Sequence, residues 1–84
     1  MELVIVERSF AQPVDVAALV AQAQQGKSCF SSRRVSPVRS MVSRDGLRMI
    51  CEYEAPDAEV VRLANQLAGL PYDRVWSAQV LGEE

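Results

Sequence analysis

The sequence contains no histidine. That removes the commonest metal ligand and the commonest general base, and it excludes histidine-based triads and histidine zinc sites. Cysteine is scarce as well. Cys29 and Cys51 are the only thiols in 84 residues, too few for the disulfide framework of a small secreted domain. No long hydrophobic run is present. The longest, Val16 to Ala21, is far too short to span a bilayer. The first residues, Met1 to Val6, lack a basic leader and read directly as a strand. The expectations are a cytoplasmic protein with reduced thiols and no membrane partner. An excess of positive charge is also missing. Nine Lys and Arg stand against eleven Asp and Glu, net −2, so nothing electrostatic points to nucleic acid. Basic residues do cluster between Lys27 and Arg48, and the acidic ones gather after them. Such a run is usually a solvated face and less often an anion-binding surface.

What is present is a periodic pattern that fits one domain over residues 1–84. A chain this short builds a core worth only about 3–5 kcal/mol and commonly leans on a partner subunit. A first strand runs from Leu3 to Ser9, with Leu3 and Ile5 on one face and Val4 and Val6 on the other. Pro13 opens a first helix, and the stripe Val16, Leu19, Val20, Ala23, Lys27, Phe30 carries it through Gly26 to Ser32. The alternative ends that helix at Gly26 as a cap. A second strand spans Val35 to Arg44, with Pro37 arguing for an edge position. Asp45-Gly46 makes the hairpin turn into a third strand, Leu47 to Glu54. Its Leu47, Met49, Cys51 and Tyr53 face the helices; Arg48, Ile50, Glu52 and Glu54 face the other way. Pro56 breaks that strand, Asp57 caps a second helix from Ala58 to Leu67, and Val60, Leu63, Ala64 and Leu67 form its buried stripe. Gly69 and Pro71 end the helix. A last strand runs from Arg74 to Leu81.

This order is a ferredoxin-like βαββαβ α+β fold: a four-stranded antiparallel sheet, strand order 4-1-3-2, with two helices on one face. The other face is then bare. Val4, Val6, Ile50, Trp76, Ala78 and Val80 are expected near it, and an apolar patch of that kind is economically covered by a second copy packed sheet to sheet. A homodimer forming an α+β barrel is the resulting expectation.

Several motifs sharpen the reading. The segment Cys51-Glu52-Tyr53-Glu54-Ala55-Pro56-Asp57-Ala58-Glu59 is followed by Val61-Arg62, Ala68-Gly69-Leu70-Pro71 and Asp73-Arg74-Val75-Trp76. Together with Val6-Glu7-Arg8 and Ser43-Arg44-Asp45-Gly46, these resemble a family of small bacterial proteins described as nickel-binding or as of unknown function. The resemblance covers nearly the whole chain and implies a ferredoxin-like fold that dimerises into a barrel. It also implies a nickel site, but this chain departs from the pattern there. Related sequences carry an aromatic-Cys-Leu run with a histidine late in the first helix, where this chain has Ser28-Cys29-Phe30 and Arg33. A second histidine-bearing position falls on Ala64.

Nickel or another soft metal needs imidazole, thiolate or carboxylate ligands in a compact cluster. Only Cys29 and Cys51 with nearby carboxylates are left to supply it. The two thiols are expected to approach each other across the helix–sheet interface, as a metal or redox pair or as two buried apolar residues. Buried thiols with no cationic neighbour stay protonated and unreactive. On the bare face, Arg48, Glu52 and Glu54, with Glu7 or Arg8 nearby, are candidates to hold a polar ligand or to form ion pairs across the subunit interface. Tyr53 and Trp76 read as core or interface aromatics, and Asp57 and Glu59 as first-turn helix charges. No nucleophile–base pair is visible. The residues thus favour a small binding protein of unknown ligand over the alternatives, a dimeric barrel enzyme of oxygenase type or a ligand-free interaction module.

Overall fold

The sheet is built around β1 (Glu2–Ser9) in a computed structural model that describes residues 1–82. β1 pairs antiparallel with β3 (Arg48–Ala55) on one side and β4 (Arg74–Ala78) on the other. β2 (Ser36–Val42) closes the far edge against β3, giving the order β2-β3-β1-β4. This is the expected 4-1-3-2 order read from the opposite edge. Pro37 lies on the edge strand, where its missing N–H breaks no central ladder, and the register shifts by a bulge between Pro37 and Arg39. The β2–β3 turn is fixed by Asp45. Its carboxylate accepts from the Ser43 hydroxyl at 2.7 Å and the Leu47 N–H at 3.0 Å, and those two bonds hold its pKa below the ordinary carboxylate value. Gly46 takes the left-handed conformation that the turn requires, φ +75°.

One helical layer covers one face of the sheet. The expected long first helix is two: α1 (Val16–Gln25) and α2 (Lys27–Ser31), separated at Gly26. α1 starts three residues after Pro13, where the Asp15 carboxylate accepts from the Ala18 N–H at 3.1 Å and caps it. Gly26 breaks the helix for a packing reason. A Cβ there would lie 2.5 Å from Ala68 Cβ, so the chain passes Ala68 at a distance only glycine permits. α3 (Ala58–Ala68) is capped at both ends, by Asp57 accepting from the Val60 N–H at 2.9 Å and by Gly69 at φ +71°.

Two face assignments differ from the sequence expectation. Val4 and Val6 lie under the helices, fully buried, because the register sets them beside Tyr53 and Cys51. Leu3, Ile5 and Glu7 are the residues of β1 on the open face, opposite Glu54, Glu52 and Ile50. α3 is also rotated. Its buried residues are Val61, Ala64 and Asn65, while Leu63 and Leu67 are exposed. The cause is polar: α3 turns Asn65 inward to meet a buried arginine described below. The strands also end slightly differently. β4 stops at Ala78, leaving exposed Val80 and Leu81 outside it. The core is Val4, Val6, Phe30, Val35, Cys51, Tyr53, Ala55, Val61, Ala64, Leu70 and Val75. Among the described residues no helix is long and apolar enough to cross a membrane.

Candidate functional site

β1 alternates Val4, Val6, Arg8 on its covered face, so Arg8 enters the core with the two valines. It is 3% exposed. A buried cation is costly unless its donors are met, and here four partners meet them. Arg8 donates to the Pro71 carbonyl at 2.7 Å, the Asn65 Oδ1 at 2.8 Å and the Tyr53 hydroxyl at 3.3 Å. Its Nε points at Cys51 Sγ at 3.5 Å. Asn65 in turn donates to the Val61 carbonyl at 2.8 Å. No carboxylate pairs with Arg8 among the described residues. Burial pushes the Tyr53 phenol above its ordinary pKa, and the neighbouring Cys51 adds to the shift while Arg8 opposes it. Tyr53 is therefore a neutral phenol through the physiological range.

The Arg8 cluster corrects the sequence reading of Cys51. The thiol is buried, as expected from its place on β3, but it has a cationic neighbour. Arg8 was expected beside the bare face; the alternation Val4-Val6-Arg8 carries the signal for its true position once the valines are placed correctly. Asn65 carries no comparable signal, because a polar residue in an amphipathic helix ordinarily faces water.

Cys29 is half-buried on α2 and packs against the core. α2 rests mainly on α3. Both cysteines are free. Among the described residues, no group of three or more His, Cys, Asp or Glu side chains is placed to hold a metal ion. Arg33, at the position matched to a family histidine, donates to the Cys29 carbonyl at 3.1 Å, and Ala64 is fully buried. The donor set therefore does not fit nickel: neither thiol has two further ligands, and Cys51 faces a guanidinium that repels a cation.

On the open face the three other candidate residues do not converge. Arg48 and Glu54 stand at opposite ends of β3, about 20 Å apart at strand rise, both exposed. Glu52, between them, accepts from Arg39 Nε at 3.1 Å. Glu7 accepts from Trp76 Nε1 at 2.7 Å and lies 3.8 Å from Arg74. Around these charges Met41, Ile50 and Trp76 remain exposed, and Ile5 is buried between Glu52 and Trp76.

A concave site lies on the helical side. Tyr53 uses its hydroxyl in the Arg8 cluster and its ring in a stack with Phe30, centroids 5.5 Å apart and planes 15° from parallel. That stack floors a groove of about 380 Å³ between the first helical segments and the start of β2. Val35 and Leu70 complete the apolar floor, and Lys27 and Arg34 stand among its lining residues. Among the described residues no acidic side chain lines it. The sequence reading missed this groove, since its lining residues come from the two helical segments, the turn after α2, β3 and Leu70, which only the fold brings together.

No curated protein matches the chain. Among solved structures, the crystal structure of SCO4226 from Streptomyces coelicolor A3(2) superposes with a TM-score of 0.80 at 15% identity. The match covers 93% of this chain and 96% of that one, and it establishes a shared fold. The family described as nickel responsive protein, SCO4226-like, matches residues 5–77, and the chain belongs to that family.

Proposed function

We propose that the protein is a small, non-catalytic binding protein that works as a homodimer, with its ligand seat in the groove floored by Phe30 and Tyr53. The groove itself carries this reading: it has the volume and the largely apolar lining of a small-molecule site, and it adjoins the hydrogen-bonded Arg8 cluster through Tyr53. The test is an amide-resolved NMR screen of small apolar compounds against the native protein. Saturable shifts at Phe30, Val35 and Leu70 are expected; shifts confined to the open face around Ile50 and Trp76 contradict the assignment.

The open face supports the dimer. Exposed Met41, Ile50 and Trp76 form an apolar surface of the kind that marks interfaces. Arg48 and Glu54, unpaired by salt bridges among the described residues, sit at the two ends of one strand. A two-fold axis through the middle of β3 sets each against the other's copy, which is the self-complementarity an isologous interface needs. Sedimentation tests this: a dimer at micromolar concentration is expected.

The family's description raises a second reading, nickel held by the thiols. Cys29 and Cys51 are the donors that any soft cation in this chain would use, and the guanidinium beside Cys51 argues that they bind it weakly.

A further inference from the structure

We infer that the groove selects an apolar monoanion: a compact carboxylate whose hydrocarbon body lies on the Phe30–Tyr53 floor and whose charge is met by Lys27 and Arg34. The inference rests on the reading of the groove as the ligand seat and adds the class of ligand. Its first support is charge. Lys27 and Arg34 both line the groove, and among the described residues no Asp or Glu lines it and neither cation makes a salt bridge. An uncompensated pair of cations over an apolar floor is complementary to an amphiphilic anion.

The second support is conformational. Arg34 adopts φ +60°, the left-handed region; the other positive-φ positions among the described residues are Gly46, Gly69 and Gly82. It follows the end of α2, where the Val35 N–H reaches back to the Phe30 carbonyl at 3.0 Å and the Arg34 N–H to the Ser31 carbonyl at 3.2 Å. Helix ends of this kind ordinarily use glycine or asparagine, which enter the left-handed region at low cost. The backbone at Arg34 gains nothing from an arginine, and the side chain makes no hydrogen bond among the described residues that explains it. What the arginine does supply is a cationic side chain in the lining of an apolar groove. Backbone strain kept at a concave surface points to a role in binding.

The same position yields a variant that separates binding from folding. Arg34→Gly relieves the left-handed strain, so the fold is retained, while the charge is lost. The experiment is an amide-resolved NMR titration of the native protein with 1-naphthoate and, separately, with the neutral 1-naphthamide. Naphthoate is expected to shift the amides of Phe30, Arg34 and Val35 saturably, with a Kd of about 1 mM or tighter. Naphthamide is expected to bind the same groove at least about fivefold more weakly. Arg34→Gly and Lys27→Gln are each expected to narrow that gap, with the rest of the spectrum unchanged. Equal affinity for the two compounds in the groove overturns the anion preference and leaves the groove as the ligand seat. No saturable shift in the groove with either compound overturns both.

Discussion

The two faces of the sheet use the same four strands and treat charge in opposite ways. The covered face admits one cation, Arg8, and surrounds it with a carbonyl, an amide oxygen, a phenol and a thiol. The open face carries Glu7, Arg39, Arg48, Glu52, Glu54 and Arg74 between exposed apolar side chains, and two of them, Arg48 and Glu54, have no salt-bridge partner among the described residues. The covered face is thus finished within one protomer. The open face leaves Met41, Ile50 and Trp76 exposed, and the proposed dimer would cover them.

The largest effect that tests this contrast is on the covered face. Arg8→Met keeps most of the volume but strands the Asn65 and Pro71 oxygens. Loss of about 2–5 kcal/mol of unfolding free energy is expected, measured by urea denaturation. Cys51→Ser, at the same cluster, is expected to cost less, about 1–3 kcal/mol. A neutral Arg8→Met would show that water reaches these groups and that the covered face is not finished.

On the open face the expected effect is on association. In the proposed dimer, Arg48→Glu would set like charges against Glu54 of the second copy, and it is expected to weaken association by about tenfold or more, read by sedimentation. The double exchange Arg48→Glu with Glu54→Arg is expected to restore it. Monomer stability should change little, within about 0.5 kcal/mol, as for other exposed substitutions. If the double exchange fails to rescue, the two-fold pairing is wrong even if the dimer stands.

A smaller effect separates the faces by pH. Burial raises the folded pKa of Tyr53, so the fold holds the phenol proton after the unfolded chain releases its own. The stabilisation is complete below the unfolded value of about 10 and is lost as pH rises through the folded value. Urea midpoints followed from about pH 8 to about pH 11 are expected to fall more steeply for the native protein than for Tyr53→Phe. Parallel curves would show that Tyr53 is not desolvated.

Much of the fold was legible in the sequence, because strand alternation, Asp45-Gly46, Pro56-Asp57 and Gly69 are local signals with direct backbone causes. The face of β1 was not legible. Val4 and Val6 are as apolar as Leu3 and Ile5, so periodicity alone is silent, and the choice is made by pairing with Tyr53 and Cys51 across the sheet. The face of Arg8 follows from that of Val4 and Val6, so the guanidinium beside Cys51 is legible only once the two valines are placed under the helices. The stripe of α3 failed for a related reason. Hydrophobicity favours burying Leu63 and Leu67, but Arg8 needs an acceptor, and Asn65 turns inward to supply it. The groove was beyond the sequence, since its lining is drawn from both helical segments, a left-handed arginine and three strands or loops distant in the chain.

We propose that this family member binds its ligand in the groove and not at a thiol metal centre. Calorimetric titration of the native protein with nickel at pH 7 tests it most directly. Affinity no tighter than micromolar is expected, weakened further by Cys29→Ser. Submicromolar binding that disappears when Cys29 or Cys51 is replaced would contradict it and put the metal back at the thiols.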